Sequence, residues 1–151
     1  MLTSPAQYDR PSKESPSLTS AGFLLHMAQS RLREGVVAAI EGSGLHPGHL
    51  AILGVLTDKG PMSQRQLGTE SQIEKSSLVL FLDVLEGEGW LQRTADPADR
   101  RAHLVKLTPK GRAKFAALGP RLQKAQDTFL APLSKAEQTQ LADLLTRLAK
   151  G

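Results

Sequence analysis

The sequence predicts a mainly α-helical chain with a small β-hairpin, arranged as a winged helix-turn-helix with further helices at both ends. Three features of the chain point there. Long segments repeat apolar residues at helical spacing. Two short helical segments are joined by a tight connection, the first of them closed by Gly68-Thr69-Glu70-Ser71. Directly after them, Gly87–Gly111 reads as helix end, strand, basic turn, strand and helix start.

Taken in order, Met1–Ser17 is rich in Ser and Pro and shows no hydrophobic period, which predicts a flexible arm. Leu18–Glu41 carries a helical pattern that Thr19 or Ser20 can cap. Leu25, Ala28, Leu32, Val36 and Ala39 fall on one face, and His26, Arg33, Val37 and Ile40 make a second, mixed face. A helix with two partly apolar faces usually has two neighbours, one of which can be a partner subunit. Gly42-Ser43-Gly44 breaks it. Pro47–Thr57 is a second helix, with Leu50, Leu53 and Leu56 along one side and Ile52 adding bulk, and Asp58-Lys59-Gly60-Pro61 is a turn. Ser63 caps a short third helix, Gln64–Glu70, anchored by Leu67.

Glu74–Glu86 is the fourth helix. At about 100 degrees per residue, Leu78, Phe81, Leu82 and Leu85 cluster on the core side, and Ser76, Val79, Leu80 and Asp83 on the opposite side. Gly87 and Gly89 suit a helix end because Gly adopts left-handed backbone without strain. Leu91, Gln92 and Arg93 form a short strand, Asp96-Pro97-Ala98-Asp99 is turn chemistry, and Leu104, Val105 and Leu107 return. Thr108-Pro109 opens a long helix to Leu130, which the internal Pro120 should kink or end. Ser134-Lys135-Ala136-Glu137 is a capping box. It opens a last helix with Leu141, Leu144, Leu145 and Leu148 on one face.

Composition narrows the function classes. The chain has 151 residues, enough for one domain or one domain with appended helices. It has no Cys, so disulfides and thiolate zinc sites are excluded. No apolar run approaches the ~20 residues of a membrane span. Met1–Ser17 has no signal-peptide pattern, and a cytoplasmic location is expected. Aromatics are only 4%, against a stacking platform for single strands. The net charge of +4 is mild, so its location matters more than its total. Arg93, Arg100, Arg101, Lys106, Lys110, Arg112 and Lys114 crowd the hairpin and the following helix, against Asp96 and Asp99 alone. A cationic hairpin beside a helix suits a surface that carries phosphates.

The run Leu85-Glu86-Gly87-Glu88-Gly89-Trp90-Leu91-Gln92-Arg93, then Asp96-Pro97-Ala98-Asp99-Arg100-Arg101-Ala102, then Val105-Lys106-Leu107-Thr108-Pro109-Lys110-Gly111 resembles the MarR (multiple antibiotic resistance regulator) family of transcription factors. The resemblance runs from about Leu18 to the C-terminus. It implies a winged helix-turn-helix plus a helical dimerisation region. The function it implies is that of a dimeric, sequence-specific, DNA-binding transcriptional regulator, more often a repressor, that responds to a small aromatic or anionic effector. On that basis 18–46 is a dimerisation helix, 47–108 the DNA-binding domain and 109–151 the C-terminal dimerisation helices. The fourth helix would enter the major groove of a double-stranded operator and the wing the minor groove. In the wing, Asp99 would position Arg101, and Arg100 would meet phosphate.

The residues themselves support a similar assignment. A guanidinium is planar, always charged and weakly hydrated, which suits a narrow electronegative groove. The alternative for Asp99 and Arg101 is a solvated turn with a surface ion pair worth little. Lys75, Ser76 and Ser77 can donate to phosphates or bases, and Gln64 and Arg65 are plausible phosphate contacts, although each also reads as an ordinary solvated residue, Arg65 the more so. Val79 and Leu80 depart from the polar pattern usual in the family. They either contact thymine methyl groups, or they are buried in another contact, or DNA affinity is weak.

By resemblance, effector candidates are His26, Arg33, His46 and His49, where Arg can pair with a carboxylate and His can bond it. His46 also sits where a helix cap belongs, and His26 and His49 equally read as surface or interface histidines. His46 and His49 lack a third ligand at helical spacing, so no metal is expected, and no cofactor either. There is no glycine-rich phosphate loop, nucleophile elbow or metal-binding helix motif, which argues against an enzyme. A winged helix used only for protein contact remains the alternative, favoured by apolar Val79 and Leu80 and disfavoured by the basic wing.

Overall fold

The structure is a computed structural model that describes residues 18–151; the expected N-terminal arm lies outside the described residues. Among the described residues, six helices and three strands follow in the order α1 (Ala21–Ala39), α2 (Pro47–Lys59), β1 (Met62–Ser63), α3 (Gln64–Ser71), α4 (Lys75–Gly87), β2 (Leu91–Asp96), β3 (Asp99–Leu107), α5 (Pro109–Leu130) and α6 (Lys135–Lys150). Ser20, Ser63, Thr108 and Ser134 each accept a backbone N–H at the start of the helix they cap, as the sequence predicts for their residue types.

The hairpin belongs to a three-stranded antiparallel sheet ordered β1-β3-β2. Strand β1 was not foreseen. Two residues are too few to show a period, and Met62 and Ser63 pair with Val105 and Leu104 only through tertiary contact. Strands β2 and β3 also run further toward the tip than expected, with Leu91 opposite Leu107 and Ala95 opposite His103.

The core lies where α2, α3 and α4 meet the sheet. Ile52, Leu53 and Leu56 of α2, Leu67 of α3, and Leu78, Leu82 and Leu85 of α4 meet Trp90, Leu91 and Val105 of the sheet region. Ile52 is fully buried while Leu50 is only half-buried, so the core face of α2 is centred one position away from the expected leucine row. Gly89, at φ +75, is the left-handed residue that ends α4; Gly87 is still helical.

Helix α5 continues through Pro120 rather than ending there. Packing on α1 accounts for this: Ala125 sits 3.6 Å from where a Cβ on Gly35 would lie, and Arg121 Nη2 donates to the carbonyls of Ala38 (3.3 Å) and Glu41 (3.2 Å). Those carbonyls lie at the end of α1, where orphan acceptors favour a cation. Of the predicted core face of α1, Ala39 is buried and Ala28, Leu32 and Val36 are partly so, but Leu25 is exposed. Phe23, Leu24, Met27 and Val37 of α1 are exposed as well, as are Leu144, Leu145 and Leu148 of α6, which buries no residue of its own. None of the described helices is long and apolar enough to cross a membrane.

Candidate nucleic-acid interface

The reading helix α4 is reached from α3 through Gln72, a left-handed residue at φ 57, and Ile73-Glu74. Ser63 and Gln66 hold the start of α3 in a reciprocal capping box, each bond 3.1 Å. Gly68 lets α3 approach α4 closely, since an added Cβ would lie 3.2 Å from Leu78 Cδ2. Between the two helices runs a groove of about 490 Å³ that brings Gln64, Arg65 and Lys75 together. Glu74 caps α4 without a side-chain hydrogen bond, which leaves the first-turn N–H groups open to an anionic oxygen. Lys75 and Ser76 are exposed there and Ser77 is half-buried.

Along the outer face of α4 the expectation holds for Leu80, which is 66% exposed, but Val79 is half-buried against the lobe. Val84, one turn beyond Leu80, is 47% exposed and was not singled out from sequence.

Arg93 is the clearest correction. Its charge reads as part of the cationic hairpin, yet it is tied inward. Its backbone N–H and Nε both donate to Glu86 Oε2, at 2.9 and 3.0 Å, and Nη2 donates to Asp83 Oδ1 at 2.6 Å. The hydrogen bond to Glu86, followed by that to Asp83, holds its pKa above the ordinary arginine value. Arg93 therefore fastens β2 to α4 and is not free for phosphate. Lys114 is likewise engaged, its Nζ 4.8 Å from the Trp90 ring centroid.

At the tip, Asp96 Oδ1 accepts the Ala98 N–H and Asp99 Oδ1 accepts the Arg101 N–H, each at 2.9 Å. The Asp99–Arg101 relationship thus runs through the backbone amide rather than the guanidinium. The ladder slips at Ala95/Asp96, where Asp96 pairs with Asp99 although Ala95 pairs with His103. Arg100, Arg101 and Ala102 are thrown into a bulge, a device that re-aims side chains. Arg100 and Arg101 are exposed on it.

Of the effector candidates, His26 and Arg33 share a groove of about 400 Å³ with Val36 and Pro47. His46 lies in the adjoining groove, also lined by Arg33 and Pro47. His49 is not a surface residue: it is 4% exposed, and its Nδ1 accepts the His46 N–H at 3.0 Å. Burial, then the neighbouring His46, push its pKa below the usual histidine value. Among the described residues no cluster of three or more His, Asp or Glu could hold a metal ion.

This architecture has known counterparts. The sequence model of the MarR family matches residues 45–103. The putative transcriptional regulatory protein for the hcr operon of Thauera aromatica is 31% identical over 125 residues, spanning 78% of this chain and 75% of that protein. The chain belongs to the MarR family. A probable transcriptional regulator from Pseudomonas aeruginosa has a crystal structure that matches with a TM-score of 0.80 and 37% identity, over 85% of this chain and 96% of that one. Bordetella bronchiseptica BpsR, whose DNA binding is regulated by 6-hydroxynicotinic acid, matches with a TM-score of 0.79 and 28% identity, over 85% and 97%. As a MarR-family member this protein is a transcriptional regulator and not an enzyme. In MarR terms, α3 and α4 are its helix-turn-helix and the β2–β3 hairpin its wing.

Proposed function

We propose that this MarR-family protein is a homodimeric, ligand-responsive transcriptional repressor that binds a pseudo-palindromic operator in double-stranded DNA and works in the cytoplasm. One observation carries the reading: Asp99 holds the Arg101 amide in a bulge that presents Arg100 and Arg101 to solvent, on a hairpin that Arg93 ties to α4. Arg101 enters the minor groove, Arg100 and Lys75 meet phosphates, and Gln64 and Arg65 hold the adjacent backbone. Leu80 faces the bases of the major groove, with Ser76 and Ser77 nearer the amino end of the helix; Val79, half-buried, supports that face from behind.

Residues 47–108 serve as the DNA-binding region, and 18–46 with 109–151 as the dimerisation region. The exposed apolar side chains of α1 and α6 are faces that a second copy would cover, and two-fold protein symmetry matches operator symmetry. A small aromatic carboxylate of the kind that regulates BpsR fits the groove beside α1. Arg33 would pair with its charge, with His26 or His46 bonding it, while His49 supports the groove through the cap of α2. Such a ligand would bias an existing equilibrium between lobe spacings.

The test is to select fragments of the source genome on the immobilised protein and titrate a selected duplex by fluorescence anisotropy at several salt concentrations. Affinity that falls steeply with salt is the expected result, because each neutralised phosphate releases counterions. Retention of no fragment, or a salt-independent affinity, would overturn the proposal in favour of a protein-interaction module.

A further inference from the structure

We infer that α4 reads its operator through thymine methyl groups, with Leu80 as the specificity-determining side chain; this rests on the DNA-binding reading above. At about 100 degrees per residue, Ser76, Leu80, Asp83 and Val84 share the stripe opposite buried Leu78, Leu82 and Leu85. The polar members of that stripe are already engaged within the chain. Ser76 Oγ donates to Glu74 Oε1 at 3.2 Å, and Asp83 Oδ1 accepts from Arg93 at 2.6 Å. Reading guanine takes Arg or Lys, reading adenine takes Asn or Gln, and reading cytosine takes a carboxylate free to accept. From Ser76 to Gly87 there is no Arg, Lys, Asn or Gln, and Asp83 is held by Arg93.

What the stripe offers is Leu80 and Val84, 66% and 47% exposed. In the major groove the apolar feature of a base edge is the thymine C5 methyl. Charge complementarity selects the occupant. Lys75 and Arg65 flank the amino end of the stripe, and the bulged Arg100 and Arg101 stand on the hairpin that Arg93 ties to it. A surface bordered by free cations fits a polyanionic duplex better than an apolar protein face. Arg93 contributes a second time, because it neutralises Asp83, whose carboxylate would otherwise repel phosphates beside the reading stripe.

The experiment compares a genome-selected operator duplex with versions in which one symmetric pair of thymines at a time is replaced by 2′-deoxyuridine, which lacks only the methyl group. Binding is read by anisotropy for the full-length protein and for Leu80→Ala. The expected result is one pair at which wild type loses affinity about fifteenfold, about fourfold for each methyl removed from an apolar contact. Leu80→Ala should bind the thymine duplex more weakly and show a thymine-to-uracil ratio near one, with its salt dependence retained. Leu80 is exposed, so the variant should keep the wild-type melting temperature. If every uracil duplex binds like the thymine duplex, or Leu80→Ala keeps the wild-type ratio, the inference is overturned while salt-dependent DNA binding stands. If no genomic duplex binds at all, the DNA-binding reading fails, and this inference with it.

Discussion

His46 and His49 cap α2 reciprocally: the Gly48 N–H donates to His46 Nδ1 and the His46 N–H to His49 Nδ1, both at 3.0 Å. Both rings pack on Phe81 of α4, His46 stacked at 5.6 Å between centroids and His49 edge-on at 5.0 Å. Each Nδ1 must lack a proton to accept, so the cap requires the neutral Nε2–H tautomer. The start of α2 is thereby coupled to α4 through a pair of imidazole rings packed on Phe81.

That coupling predicts acid sensitivity. The folded pKa of His49 is depressed, so the unfolded chain binds more protons below the unfolded value of 6.5, and stability rises with pH there. The contribution should be complete above pH 6.5 and lost as pH falls through the depressed folded value. Urea unfolding from pH 7.5 to 5 should show this slope. His49→Asn keeps a side-chain acceptor without a titrating ring and should lower the neutral-pH plateau but flatten the slope. An unchanged slope in His49→Asn would remove His49 as its source.

Two glycines should respond oppositely to the same substitution. A Cβ on Gly111 would lie 1.8 Å from the Trp90 carbonyl oxygen, and the backbone there is fixed by the Thr108 N–H to Trp90 oxygen bond of 3.1 Å. Gly111→Ala should cost more than the about 1–3 kcal/mol of ordinary overpacking. Gly54, inside α2, has nothing within 4 Å of an added Cβ. Gly54→Ala should be neutral or stabilise by up to about 1 kcal/mol. Chemical denaturation of the two variants checks both.

The helices were legible because their cores repeat at a long period and their caps are local: Ser134 and Glu137 are three residues apart and satisfy each other within that span. The wing was legible for the same reason, since Asp96 and Asp99 each bond an amide two residues on. What escaped was non-local. Strand β1 exists only through β3, and the partners of Arg93 lie across a helix–strand junction, seven and ten residues away, a spacing no single periodicity marks. His49 also misled, because a histidine three residues from another at a helix start reads as exposed until Phe81 is seen over it.

Arg93 should behave as a positioning residue. Arg93→Gln removes the charge that joins Asp83 and Glu86 to the wing strand. Operator affinity should fall, yet the slope of log Kd against log salt should stay close to that of wild type, because no phosphate contact is deleted. A slope reduced by about one would instead make Arg93 a phosphate ligand.

The wing gives a sharper discrimination, because Asp99 and Arg101 are joined by a backbone bond. Arg101→Ala deletes the side chain and should weaken operator binding by about 1–3 kcal/mol. Asp99→Asn retains an oxygen that can accept the Arg101 N–H, so it should keep the bulge and bind close to wild type. Asp99→Ala removes the acceptor, frees the turn and should weaken binding although Arg101 is intact. A guanidinium–carboxylate pair would order these differently: Asp99→Asn would then lose as much as Asp99→Ala, since both abolish the charge. Gel-shift titration of the three variants on one operator separates the two cases. If Arg101→Ala binds as tightly as wild type, the Arg101 side chain has no part in DNA recognition.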